Sequence, residues 1–224
     1  IGHAAYDIFF PMETYPEENH KYQISTALES GGGPAANAAY LLSSWGISCG
    51  FAGVVGDDPY GKKIIQEFQT VSTDIRLMDI RKTETTPLSC IIVNTVNGSR
   101  TIINRTAPHD PLSLSHKQLD EIKPSVLLLD GHQYESSLTA LKHFPEAVSI
   151  LDAGSVRPAT LELSSQVDYL VASEKFGADF SGYTLEGKKN FPLCLKALYA
   201  INRKHVAVTL GERGVIFLND GKVS

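Results

Sequence analysis

Residues 31–61, GGGPAANAAYLLSSWGISCGFAGVVGDDPYG, hold the side chains and spacings best suited to gripping a ligand. Three consecutive glycines leave the backbone amides uncovered, so a bound molecule can approach the chain closely. Pro34 suits the first position of a helix, and Asn37, one turn in, offers both a donor and an acceptor toward whatever the glycine turn admits. Asp7 belongs with them. Read near the end of the first strand, at the carboxyl edge where open α/β folds collect ligands, its carboxylate can accept two hydroxyl groups at once. Such a site takes a small polar molecule. For Asp7 the competing reading is a turn or capping aspartate. A second group lies in VAVTLGERGVIFL, where Thr209, Gly211 and Gly214 make a tight turn whose amides and hydroxyl suit phosphate; an ordinary glycine hairpin is the alternative.

Elements of two kinds must position these residues. Strand-like runs occupy residues 1–10, 48–55, 88–96, 100–105, 125–130, 147–152, 167–172, 204–210 and 214–218. Helical patterns fall at 34–45, 59–69, 115–122, 136–143 and 186–202. Continuous apolar strands such as SVLLLD and VAVTL, alternating with helices, predict a parallel sheet buried on both faces and an α/β architecture. Residues 20–28 alternate polar and apolar, and residues 86–105 read as a hairpin turning at Asn97-Gly98; consecutive strands without a helix predict a separate small antiparallel sheet.

Composition narrows the partners. The 224 residues suffice for one good-sized core, with 42% hydrophobic and 20% charged residues. Twenty Lys and Arg stand against twenty-five Asp and Glu, a net charge of -5 without a basic run, which argues against nucleic acid and anionic membrane as partners. No apolar run approaches the roughly 18 residues of a bilayer span. Cys49, Cys90 and Cys194, odd in number and set in apolar surroundings, read as buried reduced thiols of a cytoplasmic protein. His3, His20, His109, His116, His143 and His205 show no metal-ligand spacing, so surface or core packing is expected for them. The chain opens at Ile1 in what reads as mid-strand and stops at Ser224 without a closing helix, so it is expected to be part of a longer polypeptide.

The order Gly32-Gly33-x-x-x-Asn37-x-Ala39, Gly46, then Gly53-x-x-Gly56-Asp57-Asp58-x-x-Gly61 resembles the first signature of the ribokinase-like (PfkB) carbohydrate kinases, and the resemblance runs along nearly the whole chain. It implies a three-layer α/β sandwich with a mostly parallel sheet and a small antiparallel β-lid, one domain over residues 1–224, incomplete at both ends, with lid strands at about 9–28 and 85–106. Its activity would be ATP-dependent transfer of a phosphoryl group to a small sugar. Asp7, Gly32, Gly33 and Asn37 match the family's sugar-binding positions. Lys21, Asn104 and Arg105 fall on the expected lid strands and His132 follows the strand SVLLLDG, so all four are candidates to face the sugar, with solvent exposure the competing reading. If Lys21 and Arg105 both face inward, the sugar carries an anionic group. The TLGERG turn resembles the family's ATP-site turn, and Asp152 and Gly154 end a strand that would line the phosphate path. ATP and Mg2+ are the implied cofactors, a monovalent cation is left open, and pairing of lid sheets would make a homodimer.

Two departures are legible. The family's Asn-x-x-Glu, which holds magnesium, is matched here by Ser173 and Phe176, and phenylalanine cannot ligate a hard cation; either Glu174 is a shifted candidate for cofactor and metal, or magnesium is held mostly by the nucleotide. The family's Gly-Ala-Gly-Asp motif, whose aspartate deprotonates the acceptor, does not occur before Ser224, so the base is expected beyond it and no catalytic residue is assigned. Ketohexokinases and kinases of fructose derivatives are the nearer resemblance. A nucleoside kinase with an apolar slot for a base, and a sugar or nucleotide sensor without catalysis, are the alternatives. A dinucleotide-binding dehydrogenase is disfavoured by the glycine spacing.

Overall fold

A computed structural model describes residues 1–106, 110–219 and 222–223; His109 lies outside the described residues. The chain folds as two compact units, His3–Asp110 and Ile1–Gly2 with Pro111–Ser224. Both are α/β.

In the first unit, β1 (Ala5–Met12), β2 (Leu28–Gly32), β5 (Leu88–Asn94) and β6 (Arg100–Arg105) form one sheet in the order β2-β1-β5-β6. The hairpin lies, as expected, in a small sheet distinct from the six-stranded sheet of the second unit, but that small sheet is mixed rather than antiparallel: β1 runs parallel to β5 from Tyr6↔Leu88 to Met12↔Asn94, and antiparallel pairs flank this central pairing. That long pairing also puts Asp7 at the third residue of its strand, away from the carboxyl edge expected of it. The expected strand at residues 20–28 is absent except for Leu28. Residues 13–29 are exposed throughout, and with no apolar face to bury they gain nothing from pleating.

The hairpin register is set by side chains. Asn94 Oδ1 accepts from the amides of Val96 and Asn97, Asn97 Oδ1 accepts from Ser99, and Gly98 takes φ 72°. Helix α1 (Pro34–Ser44) starts from Gly33 at φ 99° and buries Ala35, Ala36 and Ala39, small residues that let it lie close to its neighbours. β3 (Val54–Gly56), shorter than the run expected there, pairs in parallel with β4 (Asp79–Arg81), and α2 (Pro59–Thr70) places Phe68 against Phe51 at 5.1 Å between ring centroids.

The second unit carries α3 (His116–Asp120), β7 (Val126–Leu129), α4 (Tyr134–His143), β8 (Val148–Ala153), α5 (Pro158–Ser164), β9 (Tyr169–Ser173), α6 (Glu174–Ser181), α7 (Phe191–Asn202), β10 (His205–Thr209), β11 (Val215–Asn219) and β12 (Lys222–Val223). Strands β7 to β10 are parallel neighbours, and β11 and β12 add antiparallel pairs at one edge. Leu129, Leu151, Leu170 and Val208 from the strands meet Phe176, Leu195 and Leu198 from α6 and α7, all essentially without solvent contact. Cys194 is buried in this core, whereas Cys49 and Cys90 are only half-buried. Among the described residues no helix is long and apolar enough to cross a membrane.

Candidate functional site

Register across the first sheet puts Ser30, Asp7, Ser89 and Asn104 side by side, one from each of β2, β1, β5 and β6. Residues opposite one another in a ladder project to the same face, so these four form a polar line across the sheet. Gly32, two residues from Ser30, shares that face: a methyl group built on it would stand 2.2 Å from Asp7 Oδ2. Glycine here leaves the space that the carboxylate fills. Ser89 is buried and Asp7 half-buried, whereas Asn104 is exposed at the edge. Ser30 and Ser89 escaped the sequence reading: a two-residue turn at Asn97-Gly98 would set Ser89 opposite Thr106, whereas the longer turn that forms sets it opposite Asn104.

Alternate residues turn the other way, toward α2. Tyr6 lies 5.4 Å from the Tyr60 ring, Lys63 stands over Tyr6 and pairs with Glu29, and Tyr6 Oη donates to Glu29. Arg105 belongs to this face: its Nη2 donates to Thr86 O at 2.9 Å and its guanidinium lies 5.8 Å from the Tyr60 centroid. The expectation that Asn104 and Arg105 share a sugar-facing surface is corrected, because neighbours in a strand cannot. Lys21 sits in the exposed segment between β1 and β2, on no strand.

Gly33 is fixed as glycine by its positive φ and by His3 O, 2.4 Å from where a methyl would stand. Gly31 faces away from Asp7, and its amide donates to Glu67 Oε2 at 2.8 Å. Asn37, exposed on the first turn of α1, lines a cavity of about 580 Å³ with Gly31, Tyr40, Ile64, Glu67 and Phe68; Asp7 takes no part in its wall.

The GVVGDDPYG segment proves to be a structural junction. Asp58 caps α2: its Oδ1 accepts from Gly61 N and Thr86 Oγ1, each at 2.8 Å, and its Oδ2 from Thr86 N at 2.8 Å. Burial works to raise the Asp58 carboxyl, but these hydrogen bonds outweigh it and hold the group below its ordinary range. A methyl on Gly61 would stand 2.0 Å from Gly56 O, and one on Gly56 would stand 2.3 Å from Glu84 O.

In the second unit, the residues expected at a nucleotide gather at the carboxyl ends of the parallel strands. Ser173 ends β9 and Thr209 ends β10, paired in register. Ser173 is committed to structure, because its hydroxyl accepts from Phe176 N to cap α6 and donates to Gly154 O at 2.8 Å. Thr209 is exposed, with Oγ1 3.4 Å from Ala172 O. Gly211 at φ 60° and Gly214 at φ 89° close the turn, and Leu210 N donates to Gly214 O. Glu174 is held by Arg213 of the same turn, Nη2 to Oε1 at 2.5 Å, a partner the sequence reading missed.

Asp152 lies one residue before the end of β8, where burial, aided by the nearby Asp130 charge, pushes its carboxyl up. His132 is exposed in the turn after β7; its amide donates to Asp130 Oδ1, and its Nδ1 stands 3.4 Å from Arg157 Nη1. Arg157 donates through Nη2 to Asp130 O, and its buried Nε has no hydrogen-bond partner among the described residues.

The polar sheet face in one unit and the strand-end turn in the other are residues suited to a polyol and to phosphate. Mouse ketohexokinase is 32% identical over 103 residues, 46% of this chain and 35% of that protein. Ribokinase of Arabidopsis thaliana is 23% identical over an alignment of 232 positions, covering 99% of this chain and 61% of the relative. The chain thus spans about a third to three fifths of the length of these relatives. The solved structure of Arabidopsis thaliana ribokinase complexed with ribose and ATP superposes with a TM-score of 0.80 at 22% identity, over all of this chain and 75% of that one, and shows the same fold. The model of the pfkB family carbohydrate kinases matches residues 1–224 in full, and the chain belongs to that family.

Proposed function

We propose that this chain supplies the sugar pocket and part of the nucleotide site of an ATP-dependent kinase that phosphorylates a hydroxyl of a small sugar. The observation that supports this most directly is the line Ser30, Asp7, Ser89 and Asn104 with Gly32 open against the carboxylate. Neighbouring strands stand about 4.8 Å apart, so the side chains of Asp7 and Ser89 lie near enough for one small polyol to reach both. Asp7 accepts hydroxyl protons, while Ser89 and Asn104 can both donate and accept. Asn37 lines the cavity beside Gly31 instead and is not part of this line.

The Thr209 hydroxyl and the Gly211 amide would receive ATP phosphates at the strand ends, the Leu210, Arg213 and Gly214 amides being bonded within the turn. Glu174 would help hold the Mg2+ that accompanies the nucleotide, and Arg213, whose guanidinium now holds Glu174, is itself suited to phosphate. The acceptor proton is assigned to no residue of 1–224. Three free cysteines fit a reducing cytoplasmic setting.

The cavity beside Asn37, walled by Tyr40, Ile64 and Phe68, supports a second reading, a nucleoside acceptor whose base needs an apolar slot. Thermal-shift measurement against ribose, fructose, fructose phosphates and adenosine, each with and without ATP, decides between them. The sugar kinase predicts stabilisation by a free ketose or pentose. Stabilisation by adenosine alone would favour the nucleoside reading, and no response to any sugar would contradict the proposal.

A further inference from the structure

The fold brings together two histidines that lie 27 residues apart in the chain. Ser115 caps α3 through a capping box with Gln118, which sets His116 on the first turn, and α4 ends on His143. His116 Nδ1 and His143 Nδ1 face each other at 3.1 Å. On its other side, His143 Nε2 lies 3.1 Å from Asp120 Oδ1, and its ring packs edge-on against Phe144 at 4.7 Å.

These contacts fix the chemistry of the pair. In the tautomer that donates Nε2–H to Asp120, the Nδ1 lone pair of His143 points at His116, whose Nδ1–H donates to it, and a metal ion would replace that proton. A carboxylate-oriented imidazole of this kind is the usual outer support of a metal-binding histidine. Two imidazole nitrogens on one tetrahedral Zn2+, each about 2.0–2.1 Å from the ion, stand about 3.3 Å apart. The observed separation falls a few tenths of an ångström short of that bite. His116 is exposed, so its ring can move by that amount and an ion can reach it.

We propose that His116 and His143 form a binding site for a borderline divalent transition-metal ion of the Zn2+ class, held by their Nδ1 atoms and oriented by Asp120. Among the described residues no group of three or more His, Cys, Asp or Glu converges as a metal shell, so water completes the coordination. The ion would tie α3 to the end of α4. Imidazole donors favour Zn2+, Ni2+ and Cu2+ over Mg2+, which separates this site from the magnesium of the nucleotide.

The test is calorimetric titration of ZnCl2 into the untagged, metal-stripped protein, with thermal unfolding followed in parallel. One equivalent is expected to bind and to raise the unfolding temperature. His116→Ala, a change at an exposed residue, is expected to abolish that equivalent, and Asp120→Ala to weaken it about tenfold or more. Failure of the wild type to bind zinc would overturn the proposal, and so would an equivalent retained at unchanged affinity in His116→Ala.

Discussion

At Gly32 one hydrogen atom decides whether Asp7 can occupy its place, since a methyl there would stand 2.2–2.8 Å from all three carboxyl atoms. Gly32→Ala is therefore expected to push the carboxylate off the polar line and weaken sugar binding at least tenfold, about 1.4 kcal/mol, with little loss of stability; titration calorimetry and a melting curve check both halves. A structural carboxylate behaves differently. Asp168 accepts from Lys204 Nζ at 2.8 Å and from Ser149 N and Oγ, each at 2.8 Å, and these bonds lower its pKa to about 2. Folded below its unfolded value of about 3.9, it contributes stability that is fully present above pH 4 and lost as pH falls toward 2. With a third of the side chain exposed, solvent screening reduces that contribution to about 1 kcal/mol. The unfolding free energy of Asp168→Asn should accordingly vary less between pH 5 and 2 than that of the wild type.

At the scale of elements, the α2 junction is held by close backbone approach. Gly61→Ala would drive a methyl into Gly56 O at 2.0 Å and Thr86 Oγ1 at 2.9 Å, and is expected to cost about 1–3 kcal/mol in denaturant unfolding. The glycines and Asp58 were visible in the sequence, and so was α2 within one residue; that they knit α2 to the loop at Thr86 was not, because the partner lies 28 residues away. Helix α1 was legible for local reasons, since Pro34 starts it and Gly46 follows its last turn. Residues 20–28 show the opposite case: alternation suggested a strand, but alternation stabilises only a segment with a face to bury. The polar line was half legible. Asp7 and Asn104 stood out by type, whereas Ser30 and Ser89 needed the register of three strand pairs, and the turn of Arg105 to the other face follows from that register. Helices α5 and α6 were missed because each spans only two turns, too short for a period to show.

For the whole molecule, β6 is one of the two edge strands of the first sheet among the described residues, with Ile102 47% and Ile103 58% exposed. An open strand edge with apolar side chains is a template for another strand, and we propose that a second copy of this chain pairs with it. Light scattering is expected to give twice the chain mass, falling to one in Ile103→Glu; a monomer at every concentration would contradict the dimer. The central claim concerns the same sheet: a small polyol is bound by the carboxylate and hydroxyls lined up across it. The most direct measurement is calorimetric titration of ribose and fructose into the wild type, Asp7→Ala and Ser89→Ala. The account predicts saturable binding of at least one sugar, weakened roughly tenfold to a hundredfold by Asp7→Ala and less by Ser89→Ala, with melting temperatures preserved. Sugar binding of equal affinity in all three proteins would contradict it.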